Sequence, residues 1–107
     1  MLSAVDLVNI STAIEQGSLL SEQSRALLIN PHFGGNYGAG VSANSHARWH
    51  DGALYGTGSI LVHTTARCGG MSWALIVNCH SADENAHGCP ALDGFAWSCI
   101  DAVEKCM

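Results

Sequence analysis

Basic residues are scarce in this chain. Lysine and arginine together number four, against nine acidic residues, which gives a net charge of −5. A surface that binds nucleic acid or an anionic membrane needs clustered lysine and arginine side chains, because it must neutralise phosphate groups. We therefore expect neither a nucleic acid nor a membrane among the partners of this protein.

Charge of either sign is also low, since 12% of the residues are charged while 48% are hydrophobic. Such an apolar content is typical of a globular protein and excludes a disordered one. The 107 residues are enough for one domain that buries roughly two thirds of its unfolded surface. The low charge indicates that part of the surface is covered by a partner. We therefore expect a single domain over residues 1–107, in a homodimer or bound to another protein.

Long hydrophobic runs are missing as well. The longest, Trp73–Val77, has the length of a strand, whereas a transmembrane helix needs about 20 apolar residues. No basic segment of the kind that begins a secretion signal follows Met1. We therefore expect a cytoplasmic protein whose five cysteines are reduced thiols. Because their number is odd, any disulfide scheme leaves one of them unpaired.

Two short helices are predicted near the N-terminus. Ser3 and Asp6 are spaced as a capping box, and Gly17 is typical of a helix end. Between them, helical spacing predicts a buried apolar stripe of Leu7, Ile10 and Ile14. Ser21 then predicts the N-cap of a second helix over 22–29, which a proline two residues later brings to an end.

Four strands are predicted in the middle of the chain. Their predicted spans are Tyr37–Val41, Ala47–Ala53, Ile60–Thr65 and Met71–Cys79. Most of the links between them have hairpin length, which predicts an antiparallel sheet that runs as a meander. The segment Ser42-Ala43-Asn44 is interpreted as a polar turn.

The clearest helix pattern lies at the C-terminus. Pro90 suits the first turn of a helix, and one helical face then carries Leu92, Phe95, Ala96, Cys99, Ile100 and Val103. Cys99 is therefore predicted to lie in the core. Together these elements predict an α+β fold, in which an antiparallel sheet of about four strands has the N- and C-terminal helices packed on one face.

The segment Arg48–Val62 contains a His-Asp-Gly sequence at the end of a predicted strand, then a glycine-containing bend and an apolar strand. His50-Asp51-Gly52 resembles the third motif of the serine β-lactamase-like and penicillin-binding-protein-like hydrolases. The His-x-Gly form is that of their esterase and D-aminopeptidase branch. Three other segments are similar to that superfamily in order and spacing: the helix and turn over 3–21, the Tyr-Gly-x-Gly segment over 36–40, and the strand over 73–78. The resemblance covers nearly the whole chain, but only the C-terminal part of a family enzyme.

The nucleophile motif of that superfamily, Ser-x-x-Lys, is absent. The chain has one lysine, Lys105, and the residue three positions before it is Ala102. The resemblance implies that His50 orients a substrate or stabilises charge, and that the backbone N–H of Ala53 donates to an oxyanion. It therefore implies the edge of a vestigial pocket, without a complete catalytic set, formed by His50, Asp51, Gly52, Ala53 and Tyr37.

Two functions are open at this point. The first is a free-standing, non-catalytic half-domain that binds a second copy of itself, another protein, or a small molecule near His50. Low charge, high apolar content and the missing nucleophile favour it, because unpaired sheet edges and apolar faces need cover. The second is the C-terminal piece of a split or truncated serine hydrolase, which acts on esters, amides or β-lactams with a nucleophile-bearing partner. We expect the first for the isolated chain.

A metal site and a thiol enzyme are the remaining alternatives. Zinc prefers nitrogen and sulfur ligands, and one segment before the C-terminal helix contains Cys79, His80, His87 and Cys89. Their spacing has no Cys-x-x-Cys half-site, so a loop without a metal is the favoured interpretation. A cysteine hydrolase that pairs a thiolate with His50 or His80 has no supporting spacing. We therefore expect neither a metal nor a cofactor.

Overall fold

The computed structural model describes residues 1–30, 34–54, 56–65, 70–78 and 92–104. Within these residues the elements are, in order, α1 (Ala4–Glu15), α2 (Glu22–Ile29), β1 (Ser42–Ala43), β2 (Ala47–Leu54), β3 (Thr57–Thr64), β4 (Ser72–Asn78) and α3 (Leu92–Glu104). The strands form one antiparallel sheet in the order β1-β2-β3-β4. The predicted α+β class and the antiparallel meander are therefore confirmed. No helix within the described ranges is both long enough and apolar enough to cross a membrane.

The chain divides into two compact units. The first contains Met1–His50 and Leu61–Ala74, and the second contains Asp51–Ile60 and Leu75–Met107. Helices α1 and α2 and strand β1 belong to the first unit, and α3 belongs to the second. Strands β2, β3 and β4 each contribute residues to both units.

Local capping begins and ends the N-terminal helices as predicted. The Ser3 hydroxyl accepts a hydrogen bond from the Asp6 N–H at 3.1 Å, and the Asp6 carboxylate accepts one from the Ser3 N–H at 2.8 Å, which completes the capping box. The backbone N–H of Ser3, and secondarily its hydroxyl, lower the pKa of the Asp6 carboxyl. At the other end of α1, Gly17 has φ 74°, a left-handed conformation that glycine adopts without strain.

The first strand differs from the prediction. Tyr37–Val41 is not a strand, since Tyr37 makes an isolated bridge to Ser42. A β-carbon on Gly38 would lie 2.1 Å from the carbonyl oxygen of Leu28, so this segment is held against the end of α2. Gly40 has φ 133°, which is outside the extended region of a strand. The alternate glycines therefore allow close packing on a helix, and the predicted strand is wrong.

The turn predicted at 42–44 is partly right. Ser42 and Ala43 form β1, so the turn interpretation is wrong for these two residues. Asn44 is the turn residue, because its side-chain oxygen accepts hydrogen bonds from the N–H groups of His46 and Ala47, each at 2.8 Å. This side-chain turn links β1 to β2.

Strand β3 supplies half of the buried residues that the structure describes. Burial alternates along the strand. Every second residue is half-buried, and the residues between them are buried, namely Gly58, Ile60, Val62 and Thr64. The strand begins at Thr57, three residues before the predicted start at Ile60. The chain turns at Gly56, with φ 82°, and Gly58 then continues the strand instead of bending it.

Two residues predicted to lie in the core are exposed. Ile10 in α1 and Cys99 in α3 both face solvent. The buried residue of α1 is instead a serine, Ser11, and α3 buries Ala96. Helical spacing therefore locates the apolar arc of a helix, while tertiary contacts decide which edge of the arc faces inward.

Candidate functional site

Two of the predicted pocket residues contact each other in the first unit. The rings of Tyr37 and His50 lie with their centroids 6.2 Å apart and their planes at 64°, an edge-to-face arrangement. Both residues are exposed. The structure therefore brings this pair together and leaves the imidazole open to solvent.

The other three predicted pocket residues, Asp51, Gly52 and Ala53, are exposed residues of β2 in the second unit. A β-carbon placed on Gly52 would lie 3.4 Å from the hydroxyl oxygen of Ser59, which is an ordinary contact. No close approach by another described residue therefore requires a glycine at this position.

The candidate zinc ligands, Cys79, His80, His87 and Cys89, lie outside the described residues. Across the part of the chain that the structure describes, no three His, Cys, Asp or Glu side chains are grouped so that they would hold a metal ion. The expected absence of a metal stays a prediction.

A chain of polar side chains joins α1 to the sheet in the first unit, and we call it the polar relay. It consists of Arg48, Glu15, His63, Ser72 and Ser11. One carboxylate oxygen of Glu15 forms an ion pair with Arg48 Nη1, and the other lies 3.6 Å from His63 Nε2. His63 Nδ1 is 2.8 Å from Ser72 Oγ, and Ser72 Oγ is 3.0 Å from Ser11 Oγ.

Local structure explains how these side chains meet. Ser11 and Glu15 are four residues apart in α1, so they project from the same helical face. The other three members lie on adjacent strands of the sheet, namely Arg48 on β2, His63 on β3 and Ser72 on β4.

Arg25 of α2 donates a hydrogen bond to the carbonyl oxygen of Glu15 at 2.7 Å, which fixes the last turn of α1.

The relay is largely removed from water. The side chains of His63, Glu15 and Arg48 are 15%, 19% and 21% exposed, and Ser11 is buried. A charge in such a place is stable when it has a partner of opposite sign and hydrogen bonds around it. The Glu15 carboxylate meets this condition, because it lies between a guanidinium and an imidazole.

The charge of the Glu15 carboxylate, 3.6 Å from Nε2, favours one tautomer of neutral His63. An ionised carboxylate has no proton to donate, so the imidazole hydrogen is assigned to Nε2, which faces Glu15. Nδ1 is then an acceptor, and the Ser72 hydroxyl donates to it. The Ser11 hydroxyl in turn donates to Ser72 Oγ. With this tautomer, the two hydrogen bonds share one direction, from Ser11 to Ser72 and from Ser72 to His63.

Burial lowers the pKa of His63 below its ordinary value. The negative charge of Glu15 raises this pKa and the positive charge of Arg48 lowers it, but both effects are smaller than that of burial. His63 is therefore neutral at neutral pH, in the protonation state that a general base requires.

The stability of the protein is expected to fall as the pH drops below about 6.5, the ordinary histidine value. The folded-state pKa of His63 is the lower of the two, so the unfolded chain binds more protons in this range and acid favours unfolding. The contribution is fully present above the unfolded pKa and is lost as the pH falls through the window down to the folded pKa. Urea unfolding across this window measures the slope, which His63→Gln should flatten. The assignment is wrong if wild type and variant have the same slope.

Sequence patterns do not reveal the relay. The available signals are an ionisable Glu15 on the helical face that also carries Ser11, and an ionisable His63 inside an apolar strand. Each pattern is common by itself. Glu15 and its partner Arg48 are 33 residues apart, so their contact depends on tertiary structure.

Comparison of the chain with protein-family models, with curated proteins and with solved structures gave no match. The resemblance to the serine β-lactamase-like hydrolases therefore depends on the sequence motifs alone. The site is defined by its own geometry: an exposed His50–Tyr37 pair and a largely buried polar relay.

Proposed function

We propose that this chain functions by binding, as a self-association module that pairs with a second copy of itself through α1. The observation that supports this proposal is the exposure of three apolar side chains at the N-terminus. Leu2, Val5 and Ile10 are 57%, 68% and 38% exposed, and we call them the α1 apolar surface. Exposed apolar side chains of this kind are area that a partner removes from water on binding.

The orientation of α1 explains why this surface faces outward. A surface helix ordinarily turns its polar residues to solvent and its apolar residues to the core. In α1 the inward face includes Ser11 and Glu15, which belong to the polar relay. Part of the apolar content of the helix is therefore left at the surface, where a partner would remove it from water.

A second copy is the partner that the charge distribution favours. In a two-fold dimer each residue near the axis meets its own counterpart, so a charged surface would repel itself. The α1 apolar surface has one acidic neighbour, Asp6, whose carboxylate is already hydrogen-bonded to Ser3. The side chains of Leu2, Val5 and Ile10 are themselves uncharged, so two copies can meet through them without repulsion between these residues.

The expected dimer is weak. Complete burial of one Val, Leu or Ile side chain contributes roughly 1.5–3 kcal/mol, so three from each copy contribute about 9–18 kcal/mol. Association itself costs about 4–15 kcal/mol in lost freedom of motion. These side chains are partly buried in the monomer already, so the gain from burial lies near the lower end of its range. The net free energy of association is therefore small. Association should therefore depend on protein concentration.

The test is the native mass, measured by light scattering in reductant over a concentration series. The mass should rise from monomer to dimer, and reductant removes any cross-link through the exposed Cys99. Val5→Glu should weaken association tenfold or more, because it places two carboxylates in an apolar contact.

Leu54→Glu is the matched control. Leu54 is an exposed apolar residue of β2, so this variant makes a similar change away from α1 and should leave association unchanged. Loss of the dimer in Leu54→Glu together with its retention in Val5→Glu would place the interface elsewhere. A monomer at every concentration would exclude self-association.

The exposure of His50 favours a second function. Its imidazole lies against Tyr37 and is open to solvent. Such exposure is expected for one edge of a substrate site when a partner protein has yet to supply the other edge. In this alternative the chain is the C-terminal piece of a serine hydrolase for esters, amides or β-lactams, and a partner supplies the nucleophile. The same mass measurement separates the two functions, because a monomer at every concentration favours this one.

A further inference from the structure

We propose that Ser72 is a nucleophile activated by His63, and that the polar relay is a site for cleaving small, uncharged esters. This proposal goes beyond self-association and does not depend on it. It also requires no Ser-x-x-Lys motif, because the base is an imidazole and every member of the relay belongs to the first unit.

The contact between nucleophile and base has the required geometry. Ser72 Oγ lies 2.8 Å from His63 Nδ1, within the hydrogen-bond reach of a general base. The tautomer assigned above leaves the lone pair of Nδ1 towards the serine. His63 can therefore take the hydroxyl proton of Ser72 as its oxygen attacks.

Glu15 is the positioning residue of the relay. Its carboxylate lies 3.6 Å from Nε2 of His63, where it holds the tautomer and offsets the positive charge that the imidazole gains with the proton. Arg48 holds the same carboxylate from its other oxygen. The arrangement of serine, histidine and carboxylate is therefore that of a hydrolytic triad in its roles, with the two imidazole nitrogens exchanged.

Ser11 supplies a hydrogen bond to the nucleophile. Its hydroxyl lies 3.0 Å from Ser72 Oγ and the residue is buried, so water does not readily replace it. A donor to this oxygen holds the Ser72 hydroxyl in place, with its own proton directed at His63 Nδ1.

Access to the relay is narrow. The His63 side chain is 15% exposed, and a β-carbon placed on the nearby Gly70 would lie 3.9 Å from its Cε1. Ser72 itself is half-buried, which restricts attack to small acyl groups. A net charge of −5 disfavours anionic substrates. Small, uncharged esters are therefore the substrate class.

The reaction forms a bond between Ser72 Oγ and the acyl carbon and breaks the bond from that carbon to the ester oxygen. The serine proton moves to His63 Nδ1 and then to the departing alkoxide, which leaves as an alcohol. Water, deprotonated by His63, then attacks the acyl carbon, the bond from that carbon to Ser72 Oγ breaks, and His63 returns the proton to Oγ. The products are a carboxylic acid and free Ser72, so no further reactant is needed.

The test uses a small alkyl fluorophosphonate, which joins phosphorus to an activated serine oxygen with loss of fluoride. Peptide mass spectrometry should find the label on Ser72. Ser72→Ala should remove it, and His63→Gln should slow it about a hundredfold, the typical contribution of a general base. Ser42→Ala removes another half-buried strand serine, outside the relay, and should label at the wild-type rate.

The pH profile distinguishes activation from a structural role. The labelling rate should rise with pH to a plateau whose midpoint is the pKa of His63, below the ordinary histidine value. Glu15→Gln should displace this midpoint. Circular dichroism establishes that each variant is folded. Labels spread over several serines, or an unchanged rate in folded His63→Gln, would overturn the proposal. The native mass is measured separately, so failure here leaves the test of self-association intact.

Discussion

Gly38→Ala is expected to lower the free energy of unfolding by about 3 kcal/mol or more, the upper part of the range for overpacking. The added β-carbon would lie 2.1 Å from the carbonyl oxygen and 2.9 Å from the carbonyl carbon of Leu28, and 3.0 Å from the carbonyl oxygen of Asn30. These are backbone atoms at the end of α2, which no rotamer change moves aside. Either α2 or the Tyr37–Val41 segment must shift, and the contact of Tyr37 with His50 would shift with it.

Gly94→Ala is the matched control. A β-carbon on Gly94 meets no atom of the described residues within 4 Å, and alanine favours a helix by up to about 1 kcal/mol over glycine. Chemical unfolding followed by circular dichroism should therefore show a lower free energy of unfolding for Gly38→Ala and a higher one for Gly94→Ala. Equal stability of Gly38→Ala and wild type would mean that the segment after α2 does not pack as closely as described.

Elements that depend on neighbouring residues are predictable from this sequence. Ser3 and Asp6 meet within one helical turn, so the start of α1 follows from local chemistry. Ser21 begins α2 for the same reason. Alternation and glycine positions also locate β2, β3 and β4 to within a few residues. These agreements fix the α+β class, because they set the order of helices and strands.

Elements that depend on distant contacts are not predictable in this way. Gly38 and Gly40 suggest a strand that packs tightly, and the structure uses the same freedom to place Gly38 against the carbonyl of Leu28. Cys99 has helical spacing typical of a core residue, yet it is exposed. In both cases the local pattern permits two partners, and only the tertiary fold selects one.

The polar relay and the α1 apolar surface have a common origin. A helix that turns Ser11 and Glu15 inward must turn some of its other residues outward, and in α1 these include Val5 and Ile10. The inward polar residues belong to the proposed catalytic site, and the outward apolar residues form the proposed interface. Both proposals therefore depend on the rotation of one helix about its axis.

Glu15→Gln tests that rotation and is expected to lower the free energy of unfolding by about 2–3 kcal/mol. The change keeps the size of the side chain but removes the charge that pairs with Arg48. Loss of one partner from a buried ion pair costs about 3–5 kcal/mol, because the other charge is left without compensation. About a fifth of each side chain is exposed, so water screens part of the lost interaction. The expected loss of about 2–3 kcal/mol is therefore smaller than that for a fully buried pair.

Three further variants, Glu22→Gln, Arg48→Met and the double variant, make this prediction specific. Glu22→Gln changes an exposed glutamate in the first turn of α2 and should lower stability by no more than about 1 kcal/mol, the contribution of one charge at the start of a helix. Glu15→Gln combined with Arg48→Met should recover most of the loss, since an apolar side chain needs no partner for its charge. If the two single losses simply add in the double variant, the pair does not interact. The inward orientation of Glu15 would then be wrong, and with it the basis for both the relay and the outward α1 apolar surface.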